Sequence, residues 1–292
     1  MKILNFGSLN YDYTYKTDHF VLPKETLSSF SYMKNSGGKG LNQSIALSRA
    51  NVKVYHAGKV GYDGNDLIDL LKNNGVNTDF VFVDEKEVTG HAIIEVCNGE
   101  NRILLYGGSN QNIKEEDIDK VLVNFEKGDV LLLQNEINNI SYLINKAYEK
   151  GMKIIMNIAP FNDDVFTYPL EFIDMYVVNE VEASGLLEES FYDFEKMKDT
   201  FLRKYKDKQV LLTLGEHGAY FLDRGKEYYR EAIKTDVVDT TAAGDTFLGY
   251  FLGSYLNDND VTKALNLATK ASSIAISRSG AAVSIPYFGE IK

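Results

Sequence analysis

The chain is poor in cysteine, proline and histidine, and it lacks any excess of positive charge. Its one cysteine, Cys97, cannot form an intramolecular disulfide, which fits a reducing compartment. Apolar runs such as Val130-Leu131-Leu132-Leu133 fall far short of the ~20 residues needed to span a bilayer. The start, Met1-Lys2-Ile3-Leu4-Asn5-Phe6-Gly7, reaches Asn and Gly before a signal-length apolar stretch forms. A soluble, cytoplasmic protein with no membrane partner is expected. With 31 basic against 42 acidic residues the formal charge is −11, which repels a phosphate backbone and argues against nucleic acid. The four histidines show no zinc-ligand spacing. No Gly-x-Gly-x-x-Gly follows the first apolar run, which argues against a dinucleotide-binding oxidoreductase. Internal repeats, low-complexity tracts and a Pro/Ser-rich linker are also absent.

What is present suits a packed α/β protein. At 292 residues and 44% hydrophobic composition, a sizeable core can form. Short apolar runs bounded by Gly, Asn or Asp alternate with segments of helical period, the pattern of parallel strands joined by crossover helices. The spacing predicts strand 130–133, helix 140–150, strands 153–157 and 175–178, and helix 180–187. Strand 210–214 follows, and helices 243–256 and 261–277 close the series. Two stretches break the rhythm. Residues 88–96 and 102–106 flank Asn98-Gly99, a dipeptide that tolerates positive φ and so predicts a hairpin. Residues 11–32 are rich in β-formers without helical period, and are assigned with that hairpin to a second, small sheet able to cover a site.

Several segments could carry chemistry. In Asp239-Thr240-Thr241-Ala242-Ala243-Gly244-Asp245-Thr246-Phe247, small residues precede a helical pattern. Free N–H groups at such a helix start can approach a phosphate, and Asp245 beside them could take a proton from an attacking hydroxyl. An N-cap aspartate beside a small-residue packing contact would read the same way. Ser36-Gly37-Gly38-Lys39-Gly40-Leu41-Asn42-Gln43 also precedes a helix, but Walker A spacing is missing. Asn10 and Asp12, two apart, share one face if the backbone is extended, as a polyol with adjacent hydroxyls would require. Glu136 follows a strand at the usual ligand edge of an α/β sheet. Asn179 and Glu182 could orient water around Mg²⁺ or simply start a helix, and Thr213–Gly218 is a strand-end turn.

In their order and separation, these segments resemble the ribokinase branch of the PfkB carbohydrate-kinase family. The resemblance also draws on Pro23-x-Glu25-Thr26, Asn157-x-Ala159-Pro160 and Ser277-Arg278-Ser279-Gly280-Ala281 with Ser284 and Pro286, and so covers nearly the whole chain. It implies a ribokinase-like fold: one catalytic domain over 1–292, a mainly parallel sheet flanked by helices, and a β-sheet lid from about 11–35 and 88–107. The implied activity moves the γ-phosphate of ATP to a primary hydroxyl of a small sugar, D-ribose first. Alternatives are another sugar, a nucleoside, or a non-catalytic sugar-binding regulator. Asp245 matches the catalytic base and Ala243-Gly244 the anion hole. Asn10, Asp12, Gly38, Lys39, Asn42 and Glu136 match sugar contacts. Asn179, Thr213, Gly215, Gly218, Gly244 and Thr269 match the nucleotide site, with Glu182 near Mg²⁺ through water. Asp239, Thr241, Ala275, Arg278, Gly280 and Ser284 match a loop that binds an activating K⁺, largely through carbonyls. A homodimer through the lid is also implied. Leu41, Thr269 and Tyr11 depart from the family pattern, adding bulk beside the sugar or altering the adenine side.

Overall fold

The computed structural model describes residues 1–190 and 193–291. In chain order its strands are β1 (Ile3–Phe6), β2 (Asn10–Lys16), β3 (Ser31–Gly37), β4 (Val54–Gly61), β5 (Asn77–Asp84), β6 (Gly90–Cys97), β7 (Glu100–Tyr106), β8 (Val130–Gln134), β9 (Lys153–Asn157), β10 (Met175–Asn179), β11 (Gln209–Thr213), β12 (Ala219–Asp223) and β13 (Lys226–Arg230). The helices are α1 (Lys39–Arg49), α2 (Asn65–Asn73), α3 (Glu115–Leu122), α4 (Ile140–Glu149), α5 (Glu180–Leu187), α6 (Phe194–Lys204), α7 (Ala243–Asp258) and α8 (Val261–Ile276).

Nine strands form one sheet in the order β13-β12-β11-β10-β9-β8-β1-β4-β5, parallel except for the β11–β12 and β12–β13 pairs. Strands covered on both faces read as continuous apolar runs, and β8 (Val-Leu-Leu-Leu-Gln) is buried throughout. The period of two divides its side chains between layers. Val130 and Leu132 join the core under α1, α2, α7 and α8, whereas Leu131 and Leu133 join the core under α3 to α6. Strand β1 lies between β4 and β8, so the chain order reverses there. The carboxyl ends of the strands flanking such a reversal leave a crevice for ligands.

A separate four-stranded sheet, β3-β2-β6-β7, grows from that edge, because β2 follows β1 after only three residues. Its β6–β7 hairpin turns at Asn98 and Gly99, with φ of 51° and 83°, as the dipeptide predicts. The 11–32 stretch is two strand segments separated by residues 17–30, where Lys24 next to Pro23 takes φ of 70°. Helix α7 runs two residues beyond its expected end, to Asp258. Among the described residues no helix is long and apolar enough to cross a membrane.

Candidate active site

The short link from β1 into β2 places Asn10 and Asp12 on one face of the small sheet, with Tyr11 on the other. Tyr11 is buried in the core, where its hydroxyl donates to the Asp63 carbonyl at 3.0 Å and to Asp66, so its extra bulk lies away from Asp12. By register, Tyr13 and Tyr106 share the Tyr11 face. Asn10 is buried, and its Oδ1 accepts from Asn110 Nδ2 at 2.7 Å. Asn110, unnoticed in the sequence, also brackets the Leu9 N–H and C=O at 3.1 and 3.2 Å. Burial, reinforced by Glu136, lifts the Asp12 carboxyl to a pKa of about 6.

Opposite this face, Gly38 precedes α1 with φ of 92°, a conformation that favours glycine. The Lys39 N–H donates to Glu136 Oε2 at 2.9 Å, and the Ser8 hydroxyl donates to the same oxygen. A Cβ on Gly40 would stand 2.4 Å from Ser8 N, so α1 and the loop after β1 meet backbone to backbone. Leu41 is fully buried in the apolar core; its bulk is absorbed there. The Lys39 side chain is half-buried among carboxylates. Burial works against its ammonium, but Asp245, Glu136 and Glu182 outweigh it and hold its pKa above the usual lysine value. Glu136 itself is pushed above the usual carboxylate range by burial, despite Lys39.

Asp245 lies in the first turn of α7, 8% exposed. Asn42 Nδ2 donates to its Oδ2 at 3.1 Å and Gln43 Nε2 to its Oδ1 at 2.8 Å, so two consecutive residues of α1 clamp one carboxylate. The Ala243 N–H is already donated to the Thr240 carbonyl at 3.1 Å, whereas Gly244 has open space where a side chain would stand.

The residues matched to the nucleotide site converge. Asn179, Thr213, Gly215, Gly218, Gly244 and Thr269 all line one cleft of about 440 Å³. The Thr269 hydroxyl is turned back to the Leu265 carbonyl at 2.8 Å. A smaller cavity, about 200 Å³, shares its Asn179, Thr213 and Gly244 walls and adds Lys39, Glu182 and Asp245. Asn179 and Glu182 form a reciprocal cap on α5: Asn179 Oδ1 accepts from two backbone amides, and Glu182 accepts from Asn179 N at 2.9 Å and Nδ2 at 3.0 Å. Burial raises the Glu182 carboxyl above the ordinary range.

Beside α7, Asp239 joins the two halves of the matched cation loop. Its Oδ1 accepts from Thr241 N and Oγ1 at 2.9 and 2.6 Å, and its Oδ2 from Gly280 N at 2.9 Å. Burial would raise the Asp239 carboxyl, but these bonds hold it below the usual range. The Arg278 guanidinium pairs with Glu290 at 2.6 Å, which leaves only its carbonyl for an ion. The Ala275 carbonyl accepts from the Arg278 amide at 3.1 Å, and Ser284 Oγ donates to the Ala281 carbonyl at 2.8 Å.

The chain is similar to several known proteins. The chain is 32% identical to a ribokinase of Staphylococcus aureus, covering 99% of this chain and 98% of that one. A deoxyribokinase of Salmonella typhimurium is 30% identical, over 98% and 96% of the two chains. The solved structure of Arabidopsis thaliana ribokinase complexed with ribose and ATP superimposes with a TM-score of 0.88 at 26% identity, covering 99% of this chain and 97% of that one. Residues 1–287 match the profile described as pfkB family carbohydrate kinase. The chain belongs to that family, in which its sequence and its two-sheet fold both place it.

Proposed function

We propose that this chain is an ATP-dependent sugar kinase that phosphorylates the primary hydroxyl of a pentose, D-ribose first. The observation that carries the reading is one cavity in which Asp245, Lys39 and Gly244 meet, walled on one side by the nucleotide-matched residues. Asp12, Asn10 and the Asn42 Oδ1 would hold sugar hydroxyls; that Oδ1 is buried without a protein partner, an acceptor left over for a donor. Asp245 would draw the proton from the attacking hydroxyl, and the Gly244 amide would receive the transferring phosphate together with Lys39. With its amide spent on Thr240, Ala243 serves by shaping the helix start.

Among the described residues no three His, Cys, Asp or Glu side chains cluster as a metal cage. That suits Mg²⁺ carried by nucleotide oxygens and water, with Glu182 holding the water through lone pairs its cap leaves free. Mg²⁺ there would neutralise phosphate charge. For K⁺, the carbonyls of Asp239, Thr241, Ala275, Arg278 and Gly280 and the Ser284 oxygen would supply hard donors; the Ala275 carbonyl, which accepts the Arg278 amide, keeps a second lone pair for the ion.

The whole chain would act as one catalytic unit in which the small sheet, about 11–35 and 88–107, is the lid that excludes water from the phosphate. Its edge strand β7 exposes Ile103, Leu104 and Leu105, which fits a second copy as partner. The single buried thiol supports a cytoplasmic setting. A nucleoside is disfavoured because Tyr11, Tyr13 and Tyr106 face away from Asp12. ATP-dependent ADP release, assayed over ribose, deoxyribose, other pentoses and nucleosides, should be fastest with ribose and yield its 5-phosphate. Release only with nucleosides, or with nothing, would overturn the reading.

A further inference from the structure

Behind Asp245 a file of buried side chains crosses the sheet. Gln43 Oε1 accepts from Gln134 Nε2 at 2.7 Å; the same Nε2 donates to Asn5 Oδ1 at 2.8 Å. Asn5 Nδ2 in turn donates to the Gly40 carbonyl and to Ser44 Oγ, each at 2.8 Å, and Ser44 Oγ lies 2.8 Å from His56 Nδ1. Each amide side chain has an oxygen end and a nitrogen end, and exchanging them would reverse every bond it makes.

One group in the file cannot be exchanged. The Gly40 carbonyl is backbone and only accepts, so Asn5 must turn its nitrogen toward it and its oxygen toward Gln134. Gln134 must then present its nitrogen to both Asn5 and Gln43. Gln43 is left with its oxygen toward Gln134 and its nitrogen toward Asp245. The far end is compatible: burial holds the His56 pKa down to about 3, so its ring is neutral, and the tautomer with its proton on Nε2, on the side of the Gly7 carbonyl, leaves Nδ1 to accept the Ser44 proton. The opposite face of the Gln134 amide makes no competing bond; its Oε1 has no partner and lies where a Cβ on Gly7 would stand, 2.0 Å away.

We infer that Gln134 and Asn5 are positioning residues for the phosphoryl-transfer step: they transmit the polarity of the Gly40 carbonyl to Gln43, which then offers a donor to Asp245 Oδ1. A reversed Gln43 would set its carbonyl oxygen against the carboxylate and turn Asp245 away from the attacking hydroxyl. This rests on the kinase reading above.

The test is a double-mutant cycle on kcat, with KM for ATP and sugar measured alongside. Gln134→Met, which keeps the length but removes both donors, should lower kcat about ten- to a hundredfold with both KM values within about twofold. Gln43→Met should do the same, and the double variant should lose no more than Gln43→Met alone, because Gln134 acts only through Gln43. Losses that multiply, or a fall spread over both KM values, would mark a merely structural role and overturn the inference. So would a folded Gln134→Met with unchanged kcat, which leaves the kinase reading intact. A wild type that phosphorylates no sugar would instead remove that reading, and the inference with it. If Gln134→Met fails to fold, the isosteric Gln134→Glu carries the test. Its carboxylate attracts the Gln43 nitrogen and reverses that amide, so kcat should fall at least as far, and an unchanged rate would refute the inference.

Discussion

Replacing Asp12 by asparagine should make the protein more stable and less able to hold its sugar, and the two effects should share one pH dependence. The folded protein keeps this carboxyl protonated to about pH 6, against 3.8 for the free side chain, chiefly through burial and then through Glu136. Ionising Asp12 therefore costs the fold about 2 pK units, or ~3 kcal/mol as an upper figure, since the group retains some contact with solvent. The sign follows from which state binds the proton. Below pH 3.8 both folded and unfolded chains hold it, and Asp12→Asn gains nothing. Between about 4 and 6 only the folded chain holds it, so wild-type stability falls relative to the variant, and above 6 the whole difference is present. Denaturant unfolding of both proteins at pH 4, 5, 6 and 7.5 should show the gap opening over this window. Sugar affinity should move oppositely. The variant should bind about ten- to a hundredfold more weakly at pH 7.5, and the wild type should lose affinity as pH falls through 6. A stability gap independent of pH, or a sugar KM flat from pH 7.5 to 5, would refute the reasoning.

Asp245→Asn should lower kcat by about 10²–10⁴ while sugar and ATP binding survive, and near-normal turnover in single-turnover experiments would contradict its role as base. Gly90→Ala should cost about 1–3 kcal/mol and raise the sugar KM, because the added Cβ would stand 2.2 Å from Asn110 Nδ2 and 2.4 Å from Asn10 Oδ1; thermal melts and sugar titrations check both. Potassium should raise the rate at fixed Mg²⁺ and ionic strength, and Asp239→Ala, which unties Thr241 from Gly280, should abolish that response.

The parts of this molecule that can be read from sequence are those specified by neighbours along the chain. Strand β9 and helix α5 fall on their expected bounds, because runs such as Ile-Ile-Met and the Asn179–Glu182 cap are local signals. The Asn98-Gly99 turn and the glycines before α1 are local in the same sense. Side-chain direction at Tyr11 and Leu41 was not legible: each depends on which face its element buries, and both turn inward, although their bulk had suggested crowding of the sugar. Strands β12 and β13, an edge hairpin with little apolar alternation, gave no sequence signal. Nor could Asn5, Asn110 and Gln134 be found, since their partners lie 129 and 100 residues away, brought together only by strand order. Gln43 stood inside a recognised motif, yet its bond to Asp245 spans 202 positions.

The alternation along β2 has an evolutionary corollary. On the proposed kinase reading Asn10 and Asp12 would serve the ligand, while Tyr11, between them, is buried in the core. A point substitution at 12 would therefore retune hydroxyl recognition without reaching the apolar core, whereas Asn10 is tied to the interior by its bond to Asn110. Insertions and deletions have no such freedom. Removing one residue between Gly7 and Leu9 would turn the phenol toward the face proposed for the sugar and two polar groups into the apolar layer, so this link is closed to changes of length.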